Sequence, residues 1–236
     1  MKMRLDKFLV ATGCCSRTEA KKIVRAGGVS INGRAPKSSD EKVDPERDEV
    51  IFCGKKVIYR EFTYIMLNKP EGYVSATEDN RERTVLDLLP DEVNKTGLFP
   101  CGRLDKNTLG LMLITDDGDL AHQLLSPKNH VSKVYGFRCR EPLSDNDAER
   151  LCAGVDIGED YITKPAKIAL DDGRLSGKIT IDEGKYHQIK RMFEAVDNKI
   201  TYLERLEFGA LKLDGSLERG QWRYLTDGEI ASLGKK

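Results

Sequence analysis

The chain has 236 residues, of which 39% are hydrophobic and 33% charged, a composition typical of a globular protein with one or two domains. No apolar run approaches the ~20 residues of a membrane span, and the N-terminus lacks the apolar core of a signal peptide, so we expect a cytosolic protein. The six cysteines form no Cys-x-x-Cys pair and the three histidines are scattered, so the sequence shows no metal motif or disulfide framework.

The charge of the chain is balanced overall but unevenly distributed. There are 39 basic and 39 acidic residues, yet residues 1–37 hold 9 Lys or Arg against 2 Asp or Glu, a net charge of +7. A basic end on a neutral or acidic body is typical of a module that docks on nucleic acid. The alternative is an ordinary solvated helix face, although such faces usually alternate the sign of their charges.

The first 60 residues are predicted to form a small unit of helices and strands. Apolar spacing predicts a helix from Arg4 to Ala11, and a capping box at Ser16–Glu19 opens a second helix that stops at Gly27. Short strands are expected at 29–33 and 49–53, with an acidic loop between them. Cations on the polar side of the two helices are predicted to bind RNA: Arg4, Lys7, Arg17, Lys21, Lys22 and Arg25.

This segment resembles the S4 RNA-binding domain over roughly residues 3–50. The resemblance rests on Arg-Leu-Asp-Lys at 4–7, Ser-Arg at 16–17 and Gly-Gly-Val-Ser-Ile-Asn-Gly at 27–33. It implies that the basic face lies across an RNA backbone, where phosphate contacts give affinity and register but no choice of sequence.

We place the S4-like domain at residues 1–59 and a second domain at residues 60–236. Strands and helices alternate irregularly in the second domain, without a β-α-β rhythm, which favours a mixed, mainly antiparallel α+β fold. Strands are predicted at 63–67, 109–115, 132–139, 164–170, 177–182, 202–208 and 221–224. Helices are predicted at 85–89, 119–125, 145–152 (capped by Ser144) and 186–196, with a turn near Glu229.

A Gly-Arg-Leu-Asp stretch at 102–105 lies between a turn marked by Gly and Pro and the apolar strand at 109–115. Arg103 and Lys106 flank Asp105, and nearby positive charge keeps a carboxylate ionised at neutral pH. An ionised carboxylate at the entrance to a buried strand suits a nucleophile or an electrostatic base. From these four residues alone, however, a turn aspartate that caps a loop is the more ordinary interpretation.

Four motifs, taken in their order along the chain, favour a catalytic role for Asp105 over a structural one. They are Leu-Asn-Lys-Pro-Glu-Gly-Tyr at 67–73, the Gly-Arg-Leu-Asp stretch, Lys-Val-Tyr at 133–135 and Glu-Gly-Lys-Tyr-His-Gln-Ile-Lys-Arg-Met-Phe at 183–193. Taken singly, the tyrosine is more often a core residue, the Lys-Arg pair a solvated one and His187 a structural histidine. Together with the S4 module, they resemble the RsuA/RluB/RluE/RluF family of rRNA pseudouridine synthases over nearly all of residues 3–230.

The resemblance implies a role for each matched residue. Asp105 matches the catalytic aspartate, Tyr135 the tyrosine that stacks on the target base and is a candidate for proton transfer, and Lys190 the basic partner of the aspartate. Many relatives have arginine at that last position, and a lysine offers a point charge in place of a bidentate fork. Arg103 is expected to fill the space left by the extracted base, and Ile189 to lie under its ring. Further RNA contacts are expected from Lys69, Lys133 and Arg191.

The implied reaction converts uridine to pseudouridine by breaking the N1–C1′ bond and rejoining the uracil through C5. It needs no redox step or group donor, so we expect no cofactor. The motifs most resemble the small-subunit branch, which predicts a target in 16S rRNA of the uridine 516 class. The expected partner is small-subunit rRNA or a partly assembled small subunit, bound by a monomer.

Other functions stay open on the sequence. One is a large-subunit rRNA synthase of the same family, and another is a non-catalytic, S4-containing ribosome assembly factor. A nucleoside hydrolase is disfavoured, because it usually needs a second acid or a metal site.

Overall fold

A computed structural model describes residues 2–234, which divide into two compact units. The first unit holds the residues up to Phe62 together with Asp91–Lys95, and the second holds Thr63–Pro90 and the residues from Thr96 onward. Within the described residues, no helix has the length and apolar character needed to cross a membrane.

The first unit is built from short elements around its own apolar core. They are β1 (Met3–Arg4), α1 (Leu5–Ala11), α2 (Arg17–Arg25), β2 (Val29–Ile31), β3 (Lys42–Val43), β4 (Val50–Phe52) and β5 (Lys55–Val57). Strands β1 and β3 pair with each other, and β2, β4 and β5 form a second antiparallel sheet. Phe8, Leu9 and Val24 carry the apolar faces of the helices into the core.

The predicted capping box of α2 is confirmed. The Ser16 hydroxyl accepts the Glu19 N–H at 3.3 Å, and the Glu19 carboxylate accepts the Ser16 N–H at 2.8 Å. The start of α1 differs from its prediction by one residue, because Arg4 has an extended backbone and pairs with Lys42. The expected acidic loop therefore contains a strand, β3.

The second unit is an α+β domain. Its elements are β6 (Tyr64–Lys69), β7 (Phe99–Pro100), β8 (Leu109–Thr115), α3 (Gly118–Leu125), β9 (Lys133–Cys139), α4 (Asp145–Ala153), β10 (Lys167–Leu170), β11 (Ser176–Ile181), α5 (Gln188–Glu194), β12 (Ile200–Phe208), β13 (Leu211–Lys212), β14 (Trp222–Tyr224) and α6 (Asp227–Gly234), with 3₁₀ turns at Val85–Leu88 and Pro127–Asn129. The strands form one sheet in the order β10-β11-β9-β12-β8-β6-β14, with β13 on β12 and β7 on β8. Only β8 and β12 run parallel among the described strands, so the predicted mainly antiparallel α+β fold is confirmed.

The centre of this sheet is covered on both faces. Nearly every residue of β6 and β8 is buried, a pattern that strands adopt when neither face meets water. Apolar side chains of α3 and α6, including Leu120 and Leu233, pack on one face against Met66, Leu113 and Phe208. The loop that carries Asp105 therefore enters a rigid, fully packed strand.

Helix α5 begins two residues later than predicted. His187 precedes it with a left-handed backbone (φ +51°), and this break takes Tyr186 and His187 off the helix. Tyr186 therefore does not share a helix face with Ile189 and Lys190, as a helix over 186–196 would require. It is exposed instead.

Candidate active site

Asp105 lies in the loop between β7 and β8, and two glycines, one in the loop and one at the start of β8, fix its path. Gly102 has φ +90°, and a Cβ there would lie 2.9 Å from the side chain of Leu125. At Gly110 (φ +96°) a Cβ would lie 2.3 Å from the main-chain oxygen of Arg205 on β12. Glycine is required at this second position because the β8 and β12 backbones approach so closely.

Lys69 holds the same loop from inside the protein. Its side chain is fully buried. Its ammonium donates hydrogen bonds of 2.9 to 3.2 Å to the main-chain oxygens of Pro70, Asp105, Lys106 and Thr108. Burial lowers the pKa of Lys69 to about 8, and the negative charge of Asp105 opposes that shift. The structure corrects the expectation that Lys69 binds RNA, because an enclosed ammonium surrounded by carbonyl groups cannot reach a phosphate.

The carboxylate of Asp105 forms an ion pair through one of its two oxygens. Lys190 Nζ lies 2.5 Å from Oδ2 and also donates to Asn107 Oδ1 at 2.6 Å. The Thr108 hydroxyl is 3.5 Å from the same Oδ2. The other oxygen, Oδ1, lies 3.4 Å from Nε2 of His187. Lys190 thus makes the single point contact with Asp105 that was expected of a lysine. The other oxygen, Oδ1, has only the longer contact with His187.

A cavity of about 710 Å³ adjoins this ion pair. This volume lies within the range of small-molecule sites in proteins. Residues singled out from the sequence contribute to its lining: Arg103, Asp105, Lys133, Tyr135, Ile189 and Lys190. The motifs are spread over more than 80 residues of sequence, and the fold brings them to one site.

Arg205, which the sequence analysis did not single out, also lines the cavity. It lies directly across from Tyr135 in the β9–β12 pairing and is only 1% exposed. Its Nε donates to the Leu111 carbonyl at 2.7 Å, and its guanidinium lies 4.8 Å from the centre of the Phe208 ring. Among the described residues, no carboxylate forms an ion pair with Arg205. A buried cation of this kind is costly, and such groups cluster at functional sites.

Burial raises the pKa of the Tyr135 hydroxyl, and the charge of Asp105 raises it further. The charge of the nearby Arg205 opposes that rise. The phenol is therefore protonated at neutral pH. In that form it can stack on a ring or donate a hydrogen bond, but it is a poor base.

Comparison with known proteins assigns the chain to a family. Residues 63–195 match the family model described as RNA pseudouridylate synthase, and residues 3–50 match the S4 domain. The chain belongs to the RNA pseudouridylate synthase family. It is therefore an isomerase, and both resemblances found in the sequence are confirmed.

Relatives match this pseudouridine synthase over nearly its whole length. It is 49% identical to a protein of Bacillus subtilis (strain 168) named "Uncharacterized RNA pseudouridine synthase YtzG", over 98% of each chain. It is 44% identical to "Ribosomal small subunit pseudouridine synthase A" of Vibrio vulnificus (strain CMCP6), over 99% of this chain and 100% of the relative. The crystal structure of a pseudouridylate synthase that is 38% identical superposes with a TM-score of 0.69, covering 98% of this chain and 99% of the other.

Two further cations predicted to contact RNA have neighbours of their own in the synthase. Lys133 lines the cavity, donates to the Val131 carbonyl at 2.9 Å and has a pKa lowered by burial. Arg191 is not among the residues that line the cavity. Its guanidinium lies 3.3 Å from the Glu159 carboxylate and 3.4 Å from the Tyr186 carbonyl, and its contact with RNA stays a prediction.

The cations predicted to bind RNA in the S4 unit are exposed on α1, α2 and the residue before α1: Arg4, Lys7, Arg17, Lys21, Lys22 and Arg25. Arg4 differs from the rest because its guanidinium is held by the buried carboxylate of Asp6, at 2.7 and 3.0 Å. This pair lowers the pKa of Asp6. Arg4 is therefore an organised donor, whereas long flexible side chains on the helices lose more freedom when they contact a phosphate.

Sequence reasoning missed Arg205, but a signal for it was present. The alternation along the strand at 202–208 puts Leu203 and Arg205 on one face, and a charged residue in an inward position is expensive unless it has a task. It also missed the contact of His187 with Asp105, which depends on the left-handed backbone at His187 and has no signature in residue spacing.

Proposed function

We propose that this pseudouridine synthase, acting as a monomer, isomerises a uridine of 16S rRNA, of the uridine 516 class, with Asp105 as the catalytic carboxylate. The observation that carries the chemistry is the ion pair of Asp105 and Lys190 beside a cavity lined by Tyr135 and Arg205. The choice of substrate is supported by full-length similarity to small-subunit synthases, including 43% identity to that of Yersinia pestis. The partner is then small-subunit rRNA or a partly assembled small subunit.

Asp105 has the surroundings that the reaction requires. Its Oδ2 forms an ion pair with the Lys190 ammonium at 2.5 Å. The four hydrogen bonds of Lys69 fix the loop, so the carboxylate is preorganised rather than mobile. Because Lys190 engages Oδ2, the less engaged Oδ1 is the atom best able to act on the nucleotide.

The neighbours of Asp105 supply what base extraction demands. Flipping a base out of its stack costs a few kcal/mol, which stacking on an aromatic side chain offsets. Tyr135 is placed to stack as a neutral phenol, with Ile189 as an apolar neighbour in the same lining. The exposed side chain of Arg103, at the same cavity, is suited to fill the place that the base leaves in the RNA.

Arg205 adds electrostatic stabilisation. Heterolysis of the N1–C1′ bond leaves negative charge on the uracil, and a fixed cation in a buried site stabilises such charge more strongly than one in water. The charge is already in place before the substrate arrives, so no reorganisation is needed at the moment of cleavage.

The proposal is tested by mapping pseudouridine in 16S and large-subunit rRNA incubated with wild-type protein or Asp105→Asn. Each RNA is supplied as a free transcript and as a partly assembled subunit. We expect one new pseudouridine in 16S rRNA with wild type. With Asp105→Asn we expect at least about a 10³-fold loss of turnover, with RNA affinity within a few-fold, because the lost group acts in the transition state.

Other outcomes would contradict separate parts of the proposal. Modification of large-subunit RNA alone would keep the chemistry and overturn the substrate. Turnover retained by Asp105→Asn would overturn the role of the carboxylate. Tight binding without modification of any RNA would favour a non-catalytic assembly factor.

A further inference from the structure

We propose that Tyr186 and His187 form a stacking platform for the nucleobase next to the target uridine. This inference rests on the proposed function and deepens it, because it assigns a second base-binding position at the same site. The occupant is the unpaired base of an adjacent nucleotide, recognised through its aromatic face.

The two rings form a parallel stack that is open on one side. Their centroids are 3.9 Å apart and their planes differ by 17°. Tyr186 is 63% exposed, although burial is the usual fate of a large aromatic ring. One face of Tyr186 is covered by His187, so the face left for a ligand is that of a flat aromatic ring.

His187 places this stack next to the reacting carboxylate. Its Nε2 lies 3.4 Å from Asp105 Oδ1, and both His187 and Tyr186 line the same cavity. A base resting on the face of Tyr186 that His187 does not cover would therefore lie beside the catalytic site and not at Asp105 itself, because His187 occupies the contact with Asp105. That is a position for a neighbouring nucleotide, since Tyr135 deeper in the cavity is the residue suited to the target base.

The backbone adopts a costly conformation to present these rings. His187 has φ +51°, a left-handed conformation that costs a non-glycine residue about 1 kcal/mol or more. Such strain persists only where surrounding structure enforces it, and it is concentrated at functional sites. Here a regular helix start would turn both side chains onto α5 and remove the stack from the cavity.

Buried polar residues on both sides of the two rings hold His187 in this left-handed conformation. The Glu183 carboxylate accepts hydrogen bonds from Gln188 Nε2 at 2.7 Å, from the Lys164 N–H at 3.0 Å and from the Tyr161 hydroxyl at 2.5 Å. The Lys185 N–H donates to Gln188 Oε1 at 2.9 Å. The platform is thus held before the RNA binds, which reduces the entropy lost on binding.

Cations near the stack favour RNA over an apolar partner. The exposed Lys185 precedes Tyr186, and its ammonium lies 4.0 Å from the centre of the Tyr161 ring. Lys164, also in the cavity lining, has its Nζ 3.3 Å from Nδ1 of His130. Aromatic faces interleaved with cations are the arrangement that binds single-stranded nucleic acid, with bases on the rings and phosphates at the cations. Extraction of the target uridine also removes a stacking partner from its neighbours, which gives an adjacent base a reason to use the platform.

A cycle of protein and RNA changes tests the contact directly. Splinted ligation provides 16S rRNA with an abasic residue immediately 5′ or 3′ of the modified uridine, in whichever form (free RNA or partly assembled subunit) wild type modifies. We expect Tyr186→Ala to raise KM on intact RNA by about 5- to 150-fold, with kcat within about threefold, as for loss of one base–aromatic stack. One of the two abasic RNAs should raise KM for wild type by a similar factor. The same abasic RNA should not raise the KM of Tyr186→Ala above its value on intact RNA.

Matched variants separate the stack from general damage. Tyr186→Phe should behave as wild type, since it keeps the ring. Tyr224→Ala, which removes an exposed tyrosine outside the cavity lining, should leave KM unchanged. An unchanged KM for Tyr186→Ala would overturn the platform while leaving the proposed function intact. The same conclusion would follow if each abasic RNA raised the KM of Tyr186→Ala by the same factor as it raises that of wild type. Failure of wild type to modify any RNA would overturn the proposed function and this inference together.

Discussion

Two groups of carboxylates and cations in the second unit use similar residues but differ in how completely the carboxylate is satisfied. Arg223 meets Glu229 through two parallel hydrogen bonds of 2.8 Å, and its Nε donates to Asp214 at 2.7 Å. The Thr226 N–H and hydroxyl also donate to Glu229. Lys190, in contrast, reaches Asp105 at a single oxygen.

The difference separates a carboxylate that stabilises from one that reacts. With both oxygens bonded, Glu229 has a pKa lowered to about 2, chiefly by its hydrogen bonds with Arg223. Arg223 and Thr226 together engage both carboxylate oxygens of Glu229 at hydrogen-bond distance. Asp105 pairs with a cation at one oxygen but retains a second oxygen with only a long contact, next to a cavity. An incomplete set of partners is what a catalytic carboxylate needs.

The largest effect that would sharpen this comparison is expected from Lys190→Met. Without the ammonium, the Asp105 carboxylate loses its charge partner, and we expect kcat to fall by about 10²- to 10³-fold. Unfolding free energy should change by less than about 1 kcal/mol, because the pair is partly exposed. Single-turnover pseudouridine formation and urea unfolding measure the two quantities.

Lys190→Arg is the matched control for that variant. It restores a cation, and we expect it to recover most of the activity. Turnover of Lys190→Met within about tenfold of wild type would show that Asp105 does not depend on this partner.

A smaller loss is expected from Arg205→Lys. The substitution keeps a buried positive charge but removes the fork that donates to the Leu111 carbonyl, so we expect kcat to fall by about 10- to 100-fold with KM little changed. Far-UV circular dichroism and the Tm verify the fold. Arg205→Met should lose more activity than Arg205→Lys, and equal rates for the two would show that the charge of Arg205 is unimportant for cleavage.

Much of this architecture could be predicted from the sequence because it is locally determined. The capping box at Ser16 and the helix cap at Ser144 depend on residues within one helical turn, and both formed as predicted. The strand at 109–115 is an apolar run with matching bounds. The motif order identified Asp105, Tyr135 and Lys190, which the fold then brings to one cavity.

The errors concern residues whose surroundings depend on distant parts of the chain. Lys69 resembled a surface cation, but carbonyl groups some 40 residues away enclose it. The break before α5 depends on the pairing of Glu183 with Gln188, which overrides a helical pattern that would otherwise include Tyr186. Local propensity and spacing contain no information on such contacts.

The smallest effect on activity is expected at the Arg223–Glu229 pair, in which both carboxylate oxygens are bonded. Glu229→Gln should leave turnover unchanged and lower the unfolding free energy by about 1 kcal/mol at neutral pH, because one bidentate, partly buried ion pair is lost. The folded-state pKa of Glu229, about 2, lies below the unfolded value of about 4.3, so its contribution is present above pH 4.3 and is lost as the pH falls toward 2. The difference in unfolding free energy between wild type and Glu229→Gln should therefore close between about pH 5 and pH 2.5.

Trp222, the sole tryptophan, lies beside Arg223 on β14 and reports the urea unfolding of this unit. Asp145→Asn is the matched control, because its carboxylate is 89% exposed in its pair with Arg174 and should contribute little. If Glu229→Gln instead lowered turnover without lowering the unfolding free energy, a carboxylate with both oxygens bonded could not be taken as purely structural.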